Sequence, residues 1–155
     1  MVRLNSTHVL LTGGKDPYTS KSGYAASYIH SKATGFVPVE DMNTPRHSHA
    51  CGLVDGNKAF VVAGSDGFTD IAGKTSEYFS LETLKWHEGP SIPGDTWGGE
   101  MVSWNNRTYF LGHKDILELV KSENVWEWLK VGEMRIKRRF FKAFAMKAED
   151  CMGWN

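Results

Sequence analysis

Cysteine is scarce in this chain: Cys51 and Cys151 are the only two among 155 residues. Two thiols make no disulfide framework, and they read as reduced thiols of a cytoplasmic-type compartment. Net charge is also missing. Eighteen Lys and Arg balance eighteen Asp and Glu, so no basic field exists to hold nucleic acid or an anionic membrane. The longest apolar run, Ala59-Phe60-Val61-Val62-Ala63, falls far short of the ~20 residues a membrane helix needs. Near the N-terminus, Val9-Leu10-Leu11 is too short for a signal-peptide core. There is no G-x-S-x-G, no CxxC and no HExxH. Gly13-Gly14-Lys15 lacks the upstream glycine of a phosphate-binding loop. No nucleophile, base and orienting group can be assembled from motifs, so neither an enzyme nor a cofactor is expected.

What is present is a globular composition, 41% apolar and 23% charged, and internal repetition. Phe36, Trp86 and Trp128 are 50 and then 42 residues apart, and each lies eight residues after Tyr28, Tyr78 and Val120. Each lies six residues before Met42, Ile92 and Met134. Upstream come apolar segments ending in Gly13-Gly14, Gly64 and Gly112. From glycine to tyrosine is 14 residues in the first two units, but Gly112 to Val120 is eight. The third unit is therefore shortened by six in the loop after its glycine. It is also two shorter in the hairpin before it, where even shortening preserves side-chain parity.

Each unit reads as short strands. His49–Val54, a turn at Asp55-Gly56 and Lys58–Ala63 predict a hairpin. Gly99–Trp104, Asn105-Asn106 and Arg107–Leu111 predict the same hairpin again. Thr75–Ser80 and a strand beginning at Trp86, ended by Gly89-Pro90, complete the unit. No segment carries a sustained helical stripe. Arg138–Ala148 fits helix or strand alone; overlaid on the earlier units it is expected to be a strand.

A glycine doublet after a strand, a tyrosine, a tryptophan eight residues on, and then Met with Pro-Arg together resemble the kelch repeat. The best unit runs through Met42, Pro45-Arg46, His49-Ala50, Asp55-Gly56, Gly64, Tyr78 and Trp86. The resemblance spans nearly the whole chain and departs from the pattern at Phe36, Val120 and Gly94-Asp95-Thr96-Trp97. It implies an all-β fold: an incomplete kelch-type β-propeller of about three blades, each of four antiparallel strands. The divisions are a blade remnant over 1–44, blades over 45–92 and 93–134, and the start of a further blade over 135–155. The structural repeat residues are Gly13, Gly14, Tyr28, Gly64, Tyr78, Trp86, Gly112 and Trp128. Glycine permits positive φ and close backbone approach, and the aromatics can fill the space between twisted sheets.

The resemblance also implies a protein-interaction module, such as the substrate-recognition part of a cullin-type ubiquitin ligase adaptor or an actin-associated scaffold. The alternatives are a propeller enzyme, an oxidase or sugar-modifying one, and a non-functional fragment of a longer kelch protein. By the kelch arrangement a protein partner meets the propeller face through loops over Lys15–Ser22, Asp66–Lys74, Arg46–Ser48, Asp95–Trp97 and Lys137–Arg139. The partner-binding candidates are Arg46, His47, Asp66, Asp70, Arg138 and Arg139, arginine forks being suited to partner carboxylates. His47, His49 and Cys51 alternate as metal ligands on a strand would, but a channel-lining strand start explains them better, and no metal is expected. Arg135, Lys137, Arg138, Arg139 and Lys142 form a basic cluster, read as a solvated loop and strand edge. Asn5-Ser6-Thr7 and Asn106-Arg107-Thr108 match the glycosylation pattern; Asn106 suits a hairpin turn better.

His8–Leu11 matches the second strand of a blade and Phe140–Ala148 the first strand of another, so the two are expected to complete one blade together. Three blades are too few to close a ring of four to eight. The missing blades are expected from a longer chain or from self-association.

Overall fold

In a computed structural model, residues 1–16, 18, 23–94, 98–123, 125–139 and 141–145 are described. Twelve strands and one helical turn follow in order. The first sheet comprises β1 (Val2–Arg3), β2 (His8–Thr12), β3 (Ser27–Ser31) and β4 (Gly35–Val39). The second comprises β5 (Ala50–Val54), β6 (Lys58–Val62), β7 (Ser76–Ser80) and β8 (Lys85–Glu88), with the single turn α1 (Ile71–Lys74) between β6 and β7. The third comprises β9 (Glu100–Trp104), β10 (Arg107–Leu111), β11 (Asp115–Ser122) and β12 (Val125–Glu133). Each sheet is an antiparallel meander in chain order. The protein is thus all-β, with three four-stranded sheets.

Turn chemistry sets the hairpins. Asn105 and Asn106 both take positive φ, 49° and 58°, the conformation a two-residue turn needs to match strand twist. Asp55 and Gly56, at φ 51° and 69°, close a turn one residue longer. Consequently Cys51 pairs with Val61 while Met101 pairs with Phe110, and Gly112 stands in the fold where Ala63 stands. Ala63 itself takes φ 60°, beside 67° at Gly13.

The second sheet lies between the other two, which explains the unbroken apolar run of β6. Ala59 and Val61 join Phe79 and Trp86 in a cluster with Val2, Leu10 and Met42 of the first sheet. Phe60 and Val62 face the other way, into a cluster with Met101, Phe110, Leu117 and Trp128 of the third. Strand β1 lies beside β5, and β5 beside β9, so the opening strands of the three sheets adjoin.

Two expectations change. The first unit is no remnant, because the short β1 pairs Val2 with Leu10 and Arg3 with Val9, taking the place held for a C-terminal strand. Residues 138–139 and 141–145 form no strand; Arg138 instead donates its backbone N–H to the His113 carbonyl. Phe140 and residues 146–148 lie outside the described residues. Of the repeat aromatics, Trp86 and Trp128 are buried. Tyr78 is half-buried, stacked between Phe60 and His87. Tyr28 is exposed, because Tyr28 pairs with Leu11 on the uncovered face of the first sheet.

Trp86 joins two sheets. Its indole Nε1 donates to the Glu40 carbonyl at 2.8 Å and its backbone N–H to Glu40 Oε2 at 2.7 Å. Trp86→Ala is expected to cost about 3–5 kcal/mol in chemical denaturation, the loss typical of a large aromatic removed from a packed interior. A loss below about 1 kcal/mol would place this indole outside the core.

Candidate functional site

The meander puts different connections at the two ends of the sheets. One end carries tight turns: 32–34, 55–57, 81–84 and 105–106. The other carries the long connections, which run over 40–49, 63–75 and 89–99. Function gathers in loops raised on a rigid scaffold, so the second end is the candidate site.

The segment 46–49 is its central strap. Gly14 donates its N–H to the Arg46 carbonyl at 3.0 Å, and Arg46 donates its own to Tyr24 at 3.1 Å. His47 and Ser65 exchange backbone bonds at 2.9 and 3.0 Å, and Gly98 donates to Ser48 at 3.0 Å. The repeat glycines make room for this strap. A Cβ on Gly64 would meet the His47 carbonyl at 2.7 Å, and one on Gly13 would meet His49 Cε1 at 2.8 Å.

Arg46, expected at the surface to bind a partner, is fully buried. The correction has a clear cause. Its guanidinium donates to the carbonyls of Ala63, Ala72 and Thr75 at 2.7, 3.2 and 3.4 Å, and to Glu77 Oε1 at 2.8 Å. Glu77 also accepts the N–H groups of Asn43 and Thr44 at 2.7 and 3.2 Å. Burial pushes the guanidinium below its ordinary value, and the charge of Glu77 and its hydrogen bond oppose this. Removing one member of a buried pair leaves the other charge uncompensated. Arg46→Ala is therefore expected to destabilise the fold by about 3–5 kcal/mol in urea titration; a variant as stable as the parent would show the pair to be dispensable.

The remaining expected residues divide. His47 is half-buried, with Nδ1 at 3.1 Å from Ser48 Oγ. Burial first and the nearby charge of Lys15 second lower its pKa, against Asp66. Loops of the first and second sheets therefore converge on His47. Asp70 is exposed and precedes α1 without capping it through its side chain. Arg138 and Arg139 are exposed beyond β12, and the bond to His113 ties Arg138 to the β10–β11 loop. Cys51 meets Met1, not the two histidines: its Sγ lies 3.2 Å from the Met1 carbonyl. Among the described residues no group of three or more His, Cys, Asp or Glu is placed to hold a metal ion, and no helix is long and apolar enough to cross a membrane. Asp95–Trp97, Pro17 and 19–22 of the expected loops lie outside the described residues.

Asp66 organises its loop. Its Oδ1 accepts the N–H groups of Phe68 and Thr69 at 2.9 and 2.8 Å, and Oδ2 accepts the Thr69 hydroxyl. Desolvation alone would raise its carboxyl. The bonds from Thr69 and Phe68 outweigh that and hold it below the usual carboxylate range. In the first sheet Asp16 repeats the arrangement, accepting the Tyr18 N–H at 2.8 Å and the Tyr24 hydroxyl at 3.2 Å. Each Asp-headed turn presents an aromatic residue two positions on: Tyr18 is 93% exposed and Phe68 77%. Sequence reasoning missed this pair. The signal was there, as Gly14-x-Asp16-x-Tyr18 and Gly64-x-Asp66-x-Phe68 recur at the 50-residue spacing of the units. Comparison with protein-family models and with curated proteins finds no match for the chain.

Beneath the strap, His49 lines a cleft of about 240 Å³ with Ser48, Gly98, Gly99 and Glu100, and its buried Nδ1 lacks a partner. Burial first, then the positive N-terminus and Arg46, lower its pKa to about 3, against a hydrogen bond with the Arg46 backbone. On acidification an unfolded chain takes up this proton near pH 6.5 while the folded one resists until about 3. Stability is thus full above pH 6.5 and falls as pH drops through this window, by up to about 1.4 kcal/mol per pH unit from this group. His49→Gln is expected to flatten the slope between these limits. An unchanged slope would assign acid sensitivity to other groups.

Proposed function

We propose that this chain is a protein-interaction module of the kelch type, an arc of β-propeller blades that meets a protein partner with its loop end. Three successive four-stranded meanders with adjoining first strands suit a propeller, and the strap through Arg46 gives the loops a fixed base. The observation that carries the reading is the pair of Asp-headed turns that hold Tyr18 and Phe68 out at one end of neighbouring sheets. Large aromatic side chains on a rigid base are the usual anchors of protein interfaces. His47 and Lys15 at the loop bases, with Arg138 on the third sheet's side, add polar and cationic groups suited to partner carboxylates. The free thiol of Cys51 suits a reducing, cytoplasmic-type compartment.

The test is quantitative affinity capture from cells with the parent chain, a Tyr18→Ala/Phe68→Ala double variant, and Leu84→Ala, an exposed residue at the opposite, tight-turn end. Partners retained by the parent and by Leu84→Ala should fall at least tenfold with the double variant, at unchanged melting temperature. Equal recovery with all three chains would refute the loop end as the binding face.

A further inference from the structure

The fourth strands carry one aromatic position in three settings. Phe36 pairs with His30, Trp86 with Phe79 and Trp128 with Leu119. Their third-strand partners pair in turn with Val9, Ala59 and Thr108. The three aromatics thus occupy the same place on the same face of their sheets. In the second and third sheets the preceding sheet covers that face. Trp86 bonds to Glu40, and Trp128 Nε1 lies 3.4 Å from Ser76 Oγ. These two are 6% and 5% exposed, whereas Phe36 is 62% exposed. Around Phe36 this face carries Val9, Leu11, Tyr28 and Pro38 in register, with the His30 ring 4.5 Å from that of Phe36 and Arg3 at the edge.

Among the described residues, the third sheet has the complementary open face, reached at Glu100 by Lys142. Opposite Trp128 it carries the cross-strand row Val102, Tyr109, Glu118 and Leu129. Trp104 and Leu129 on this face are exposed. Its charges are largely paired: Arg107 lies 3.5 Å from Glu118 and Lys142 Nζ lies 3.1 Å from Glu100, while Glu127 stands opposite Val120.

Resting on the propeller reading, we propose that these two faces bind each other between two copies of this chain, head to tail, closing a ring of six four-stranded sheets. The second copy's third sheet would cover Phe36 as the first sheet covers Trp86. Each junction then repeats the packing already used twice within the chain. Head-to-tail contacts either close or run on as filaments. Six sheets fall within the four to eight that close around an axis, and a two-fold gives two identical junctions.

Light scattering on the purified 155-residue chain tests this. The expected mass is twice the 17.4 kDa of one chain. Phe36→Glu and Leu129→Arg each place a lone charge within the apolar part of the junction and should each give a single-chain mass with an unchanged circular dichroism spectrum. Tyr28→Glu is a second variant on the first face should Phe36→Glu fail to fold. An equimolar mixture of the two variants should regain the double mass. One junction is then of parent type, and the other sets the introduced glutamate against the introduced arginine. A parent chain that stays monomeric at its highest soluble concentration overturns the proposal, as do masses above two chains. So does a dimer that Phe36→Glu splits and Leu129→Arg leaves intact, which would pair first sheets with each other. Monomeric mass with Tyr18- and Phe68-dependent partner capture would remove the ring alone and leave the interaction reading standing.

Discussion

The Arg46 guanidinium and the Glu77 carboxylate sit where the first two sheets and their loops meet. Neither has solvent to stabilise it, so each must be satisfied within the protein. The guanidinium directs its donors to three carbonyls at the mouth of the 63–75 connection. The carboxylate turns its remaining capacity to two N–H groups of the link between sheets. A surface pair would contribute little. This one contributes geometry: the link cannot slide along the second sheet without stranding a buried charge. The loop with Asp66 and Phe68 starts from carbonyls that Arg46 holds, so the position of the aromatic tip depends on a residue with no surface of its own.

Much of the fold was legible because strand signals in this chain are local. Asp55-Gly56 and Asn105-Asn106 mark hairpins by side chains that tolerate positive φ, and four expected strands of the second sheet form within a residue or so of their limits. The continuous apolar run of β6 was legible as a strand, though its reason, burial on both faces, needs the neighbouring sheets. The spacing of Phe36, Trp86 and Trp128 correctly marks equivalent positions. The spacing of Tyr28, Tyr78 and Val120 does not, because turns between third and fourth strands differ in length. Tyr78 pairs with His87 and Val120 with Glu127, on faces that a fixed eight-residue offset cannot follow.

The candidate site was less legible, for a different reason. Arg46 follows a proline between two strands, a context that reads as an exposed loop. Whether a guanidinium there turns outward or inward depends on carbonyls 17 to 29 residues away, and no local pattern encodes that. The Asp16 and Asp66 turns are local and repeat in the sequence, so they could have been found by the same comparison of units that found the tryptophans. They stay inconspicuous because aspartate and glycine in a loop are commonplace until a carboxylate is seen gathering the next N–H groups.

The same architecture separates two kinds of surface. Sheet faces are read by packing, and their specificity lies in register: one residue of slip would exchange Phe60 and Val62 for Ala59 and Val61 and undo both clusters at once. Sheet ends are read by loops, where insertion and change are tolerated provided the strap between them is kept. The third unit shows this directly. Its loop after the second strand has shrunk to Gly112–Lys114, closed by one bond from Gly112 to Asp115 at 2.9 Å, while Phe110 and Leu117 beneath it remain fully buried. Loop length has therefore varied without disturbing the stack. Gly112-His113-Lys114 holds no aspartate to head such a turn, so the loop end is asymmetric, with its aromatic tips on the first and second sheets and its exposed cations beyond the third.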